Sequence, residues 1–306
     1  MGGVLVGFAV IGAIVLLGFV IGRSGVLGER GPFVLGRLVF FALMPCLLFT
    51  VLAEADVHLL FSSLLVVSAI AAVVAFAVFA LVALVLWKRP VAQATIGSLA
   101  AGYVNANNIG IPVSLYVLGS PGWSAPIVLF QLLVVTPVAL GILDAQAHRA
   151  GSFLRRLRQQ LANPIIIGAV LGVLVAVAGV PIPEHVFEPF RLVGAATIPV
   201  VLIAFGMSLS GSRLLAPGTD RRDVLLATGL KSFVMPLVAW AVGTLFGLEG
   251  HDLFVVVVLA ALPSAQNVFN FAQRYEQGEV VARDTVLLTT VLAVPVLLGV
   301  AVLLAA

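Results

Sequence analysis

Apolar runs of about 20 residues follow one another along the chain, with short stretches carrying charge, glycine or proline between them, and each run can cross a bilayer core of about 30 Å as a helix. The runs are apolar on every face and do not alternate at period two, which selects helices over the strands of a barrel. Ten spanning helices are predicted, over roughly 3–22, 33–53, 59–86, 91–118, 123–143, 162–180, 188–209, 223–247, 252–274 and 282–304. The third and fourth are long enough to tilt or break. An even number of crossings puts both termini on one side of the membrane.

Two segments interrupt the apolar pattern. Residues 102–119, GYVNANNIGIPVSLYVLG, hold Asn105, Asn107, Asn108 and Pro112. The ninth span carries Pro263, Gln266, Asn267 and Asn270 near its middle. Proline lacks an N–H and clashes with the turn before it, so each proline frees backbone polar groups that lipid cannot satisfy. Such a break is tolerated only against protein or a watery cavity. Amide side chains beside it offer both donors and acceptors. Two breaks meeting near mid-membrane also present helix N-termini, whose N–H groups favour an anion. Asn108 and Asn267, each four residues from its proline, are the first choices for contact with a carboxylate. Asn105, Asn107 and Gln266 are expected in the wall beside them.

A repeat is visible in the same pattern. RLVFFALMPCLL, 37–48, and RLVGAATIPVVL, 191–202, share Arg, Leu, Val, Ala, Pro and Leu at a constant offset of 154. That offset maps the second helix onto the seventh, as a duplication of five helices would, and an odd number of crossings per half inverts the second copy. The expected organisation is therefore an all-α membrane protein of ten transmembrane helices in two inverted five-helix repeats, residues 1–143 and 162–306. Residues 144–161 form a cytoplasmic connecting loop, and the broken fourth and ninth helices cross.

Charge supplies the orientation. Fourteen of the 16 Lys and Arg fall on the side that is cytoplasmic if the N-terminus is outside, including Arg37, Lys88, Arg89, Arg213, Arg274 and the basic run 148–160. Arg191 falls outside and Lys231 lies within a span. The net charge of +3 thus reports topology and points to no nucleic-acid partner. A composition 62% hydrophobic and 9% charged, with a mean hydropathy of +1.22, excludes an ordinary soluble domain. The single cysteine, Cys46, supports neither a disulfide framework nor a metal site. No acidic residue stands clearly inside a span, which argues against a proton pump built on buried carboxylates. Lys231, about 13 Å along its helix from Arg222, either snorkels to the interface or holds a positive charge near the breaks, attracting an anion or standing in for a bound cation.

The motifs NANNIGIP (105–112), LPSAQN (262–267), FAQRY (271–275) and VARDTVLLTT (281–290), with Pro45 and with Pro199 followed by IAFGMSL, resemble those of the auxin efflux carrier family. In overall plan that family is similar to sodium–bile acid symporters and sodium–proton exchangers. The resemblance implies a scaffold domain from helices 1, 2, 6 and 7 and a transport domain from helices 3, 4, 5, 8, 9 and 10. It also implies a crossing at Pro112 and Pro263, a carboxylate site with Asn108 and Asn267 nearby, and a homodimer. The expected function is a secondary transporter moving a small organic anion, auxin-like or a dicarboxylate, across the cell membrane by an elevator-type movement. An anion channel or a non-transporting sensor is the alternative. No enzyme motif and no cofactor are expected, and coupling to sodium or protons is open.

Overall fold

The computed structural model describes residues 2–28, 30–54, 62–147, 162–179, 181–210 and 220–304. The expected basic run at 148–160, most of the connecting loop, the start of the third span at 59–61 and Arg213 lie outside the described residues. The described chain forms twelve helices: α1 (Gly2–Ser24), α2 (Gly31–Ala53), α3 (Ser63–Leu86), α4 (Val91–Gly102), α5 (the π-turn Ala106–Gly110 continuing as Ile111–Tyr116) and α6 (Pro121–Gln146). The others are α7 (Pro164–Ala178), α8 (Glu184–Ala195 continuing as Thr197–Ser210), α9 (Arg221–Leu245), α10 (Gly250–Ala261), α11 (Gln266–Tyr275) and α12 (Glu279–Leu304).

The all-α membrane class holds, but ten spanning helices in two inverted five-helix repeats do not. Among the described residues six helices are long and apolar enough to cross a membrane: α2, α3, α6, α8, α9 and α12. The hydropathy of 91–118 and 252–274 counts apolar residues whether or not the backbone between them is continuous. In the structure both stretches are cut, leaving α4 and α10 with 12 residues each. At 15 residues, α7 rises only about 22 Å.

Prolines shape several of these helices in one way. Pro45, Pro112, Pro137 and Pro236 each follow a π-turn ending two residues earlier, at Val39–Leu43, Ala106–Gly110, Gln131–Val135 and Leu230–Val234. A proline ring collides with the carbonyl four residues back, and a widened turn accommodates that carbonyl without ending the helix. At α7 the start is set by Asn163, whose side chain accepts from the N–H of Ile165 at 2.9 Å, with Pro164 in the first turn.

Packing divides into two groups. α1 lies along α8, and α2 packs on α7 and α8. These contacts run backbone to backbone: a Cβ on Gly206 would lie 2.0 Å from the Val15 carbonyl oxygen, and one on Gly168 would lie 2.4 Å from that of Pro45. In the second group α3 packs on α4 and α9, α9 on α10, and α12 on α9, α10, α11 and α4. α5 lies between, touching α1 and α8. The outer surface is apolar, with Leu245 and Leu303 among its most exposed side chains, as a lipid-facing surface requires.

Candidate functional site: two chain breaks and the cavity beside them

The chain leaves helical geometry at residues 103–105 and again at 262–265, and the two interruptions touch. Val104 and Ser264 form an isolated antiparallel bridge. Asn105 N–H donates to the Pro263 carbonyl at 2.8 Å, and Ala265 N–H donates to the Tyr103 carbonyl at 2.9 Å. Each break thus supplies the partners that the other lost, which is what a dry setting demands of unpaired backbone groups. Side chains complete the accounting. Thr289 of α12 accepts from Ser264 N–H at 3.0 Å, and Gln131 of α6 donates its amide to the Val104 carbonyl at 3.2 Å. Lys231, which no solvent reaches, donates from Nζ to the Ala260 carbonyl at 2.6 Å. That carbonyl is in the last turn of α10, the negative end of the helix, where a cation is favoured.

Beyond each break a new helix begins. Asn105 caps the first, its side-chain oxygen accepting from Asn108 N–H at 3.2 Å. α11 starts at Gln266 with no side-chain cap on its N-terminus. Both starts border a cavity of about 780 Å³.

The structure brings Asn105, Asn107, Asn108, Gln266 and Asn267 together on that cavity, with Asn270 one turn further along. Pro112 and Pro263 do not line it. Pro112 is buried inside α5, and Pro263 acts through its carbonyl in the bridge between the breaks. Lys231 does not line it either, and snorkelling to an interface is ruled out by its complete burial. The side-chain oxygens of Asn107 and Gln131 are buried without a hydrogen-bond partner. Both residues line the cavity, and rotation of the Asn107 amide would present an NH₂ donor there instead, whereas Gln131 is fixed by its bond to the Val104 carbonyl.

Two tyrosines, and polar residues that the apolar pattern concealed, complete the lining. Tyr103 pairs its hydroxyl with Thr136 at 3.0 Å, and Tyr275 donates to Asp144 Oδ1 at 2.7 Å. Arg37, Asn163 and Arg274 lie at the helix ends expected to face the cytoplasm. Two acidic residues near the starts of their helices are nonetheless buried against protein. Asp223 of α9 and Asp284 of α12 are each about 1% exposed. Arg89 Nη2 meets Asp223 Oδ2 at 2.5 Å, and Arg283 Nε meets Asp284 Oδ1 at 2.8 Å. Among the described residues no three His, Cys, Asp or Glu gather as a metal site would need.

Membrane-crossing helices around a polar recess, roofed by backbone that is not helical, define a multi-pass membrane protein with a solute-sized cavity open to amide chemistry. The chain belongs to the membrane transport protein family, which it matches over residues 6–300. It is 28% identical over 254 residues to an uncharacterized transporter of Methanothermobacter thermautotrophicus, covering 82% of each chain. It is 26% identical over 271 residues to the uncharacterized transporter YfdV of Escherichia coli K12, covering 86% of this chain and 85% of that one. A putative malonate transporter of Rhizobium meliloti is 24% identical over 223 residues, 71% of this chain and 69% of its own.

Proposed function

We propose that this protein is a secondary transporter of a small organic anion bearing a carboxylate, working by alternating access in the cell membrane. The observation that carries the proposal is the uncapped N-terminus of α11, opening beside Asn107, Asn108 and Asn267 onto the cavity at the chain breaks. N–H groups of a first helical turn, amide donors and a helix dipole bind a carboxylate without a fixed ion pair. A site of that kind can also release its passenger, which a carrier must do on each cycle.

The two packing groups support an elevator-type movement. Helices α1, α2, α7 and α8, locked through glycine contacts, serve as the scaffold and pair into a homodimer; α3, α4, α5, α6, α9, α10, α11 and α12 move against them with the bound anion. The motifs shared with auxin efflux carriers favour an aromatic or aliphatic carboxylate, and the name of the Rhizobium relative makes a dicarboxylate the first compound to try. With both termini outside, Arg37, Asn163 and Arg274 face the cytoplasm and the cavity opens inward. For a monoanion leaving a negative-inside cell, a potential of 100 mV contributes about 2.3 kcal/mol, so export requires no co-transported ion.

Purified protein in proteoliposomes tests the reading. Labelled malonate, malate and indole-3-acetate would be loaded inside, with proton, sodium and potassium-diffusion gradients imposed one at a time. Saturable efflux of at least one compound, accelerated by an inside-negative potential, is expected. Failure of every carboxylate to exceed the leak of protein-free vesicles would refute the proposal, and unitary currents would reassign the protein as a channel.

A further inference from the structure

The floor of the cavity is neutral amide, but its rim is not. Arg37 of α2 and Arg274 of α11 are both exposed and both line the cavity. They belong to different packing groups, α2 resting on α7 and α8, α11 on α4 and α12. Aromatic rings hold each guanidinium. That of Arg37 stands 5.8 Å from the Phe33 ring and 5.3 Å from the Phe41 ring, and that of Arg274 stands 5.5 Å from the Tyr275 ring. Ring faces orient a guanidinium and leave its charge uncancelled. Among the described residues neither arginine has a carboxylate within 4.0 Å. The acidic residue on the lining, Asp144, is engaged by the Tyr275 hydroxyl.

We infer that Arg37 and Arg274 form a second anion subsite at the cavity rim, whose carboxylate occupant bridges the two helix groups and permits the cavity to close. The inference rests on the carboxylate reading above and adds a rule for when closure occurs. As the rim narrows on an empty cavity, two like charges approach while water leaves, and their repulsion grows. A carboxylate between them reverses the sign of the interaction, because each planar guanidinium can give two N–H donors to its oxygens. The empty carrier is therefore held open to the cytoplasm, and the loaded carrier is free to close. The rim charge, not the amide floor, makes closure conditional on cargo.

The test reads closure directly. Cys46 is the single cysteine of the chain, so a Cys46→Ser background carrying Gly141→Cys, at a cavity-lining position with open space where a side chain would go, reports access to the cavity. The rate of labelling by a charged methanethiosulfonate reagent is measured in anion-poor buffer and again with millimolar malonate. Arg37→Glu should let the empty cavity close and slow labelling about tenfold in the absence of malonate, the effect of shifting the equilibrium by ~1.4 kcal/mol. Arg37→Glu combined with Arg274→Glu restores like charges and should return labelling to the starting rate, an outcome that misfolding or simple loss of a side chain does not produce. Equal anion-free rates in all three proteins would overturn the rim gate. If the charge variants behave as stated but malonate, malate and indole-3-acetate all leave the parent rate unchanged, the carboxylate occupant is overturned and the anion reading of the cavity falls with it.

Discussion

Lys231 Nζ and the Ala260 carbonyl oxygen are 2.6 Å apart in the interior of the bundle, at the point where α10 stops. Pro263 ends that helix early, and Ser264 N–H, which a continuous helix would turn toward Ala260, goes to Thr289 instead. The lysine replaces the missing donor. It also places an N–H donor at the negative end of a helix dipole, where the field favours one.

Lys231→Met keeps the length and removes the donor, leaving a buried carbonyl without a partner at a cost of ~1–3 kcal/mol. The apparent melting temperature in detergent should fall by roughly 3–10 °C. Transport should fall further than stability does, because the carbonyl sits beside the breaks. A variant with unaltered melting and flux would show that the contact carries neither.

The asparagines at the start of α5, its cap Asn105 and the helical Asn107 and Asn108, should separate by role. Asn105 spends its side chain capping Asn108 N–H, so Asn105→Ala should destabilise the protein by about 1 kcal/mol. Asn107 and Asn108 line the cavity, and the side-chain oxygen of Asn107 has no partner. Asn107→Ala and Asn108→Ala should therefore leave melting nearly unchanged and weaken carboxylate binding about tenfold each, the loss of one charge-assisted hydrogen bond. Titration calorimetry with malonate beside a thermal melt distinguishes the two patterns.

How much of this was legible in the chain follows from what each signal measures. Hydropathy reports burial in lipid or protein along a stretch, so it located the apolar mass of nearly every helix. It cannot report continuity, which is why 91–118 and 252–274 each read as one span although backbone breaks at Tyr103–Asn105 and Leu262–Ala265 divide them. Pro263 with its neighbouring amides did mark the second break, where the backbone must find partners outside its own helix; at the first, Asn105 stands in the break but Pro112 lies seven residues beyond it, inside α5, so the expected crossing at Pro112 falls instead at Val104. Gln131, Thr136 and Asp144 passed unnoticed, and Arg37 and Arg274 were read only as orientation markers, since each is a lone polar residue inside an apolar run or at its end. Only their convergence on one cavity distinguishes them, and convergence is a property of the tertiary structure. Asp223 and Asp284 failed for a related reason: a partner 134 positions away in the first case, and burial of one member of an adjacent pair in the second, are invisible along the chain.

Arg89 and Asp223 tie the start of α4 to the start of α9, with Asp220 3.5 Å from the same guanidinium and Gln93 donating to Asp220 Oδ1 at 3.3 Å. Arg89 is 26% exposed, so solvent screens part of the interaction, while Asp223 at 1% is not relieved by water. Asp223→Ala should cost about 2 kcal/mol, below the ~3–5 kcal/mol of breaking a wholly buried pair. Because the pair is shielded, raising salt to 1 M should not reproduce the loss in the parent protein. A salt-induced drop in melting temperature equal to that of the variant would place the pair in solvent instead.

The final prediction concerns the helices proposed to stay still. A side chain on Gly206 would meet the Val15 carbonyl oxygen at 2.0 Å and the Phe19 backbone nitrogen at 2.8 Å, and backbone cannot move aside as a flexible side chain can. Gly206→Ala must therefore push α1 away from α8, and overpacking of this kind costs ~1–3 kcal/mol. The same substitution at Gly229, where nothing lies within 4 Å, removes only the excess flexibility of glycine in a helix and should stabilise by about 0.5–1 kcal/mol. If α1 and α8 form part of a fixed scaffold, Gly206→Ala should lower melting and weaken dimerisation together, measured by cross-linking in proteoliposomes, while carboxylate affinity at the amides is kept. Loss of affinity with dimerisation intact would instead assign α8 to the part that moves, since α5, the helix bearing Asn107 and Asn108, packs directly on it.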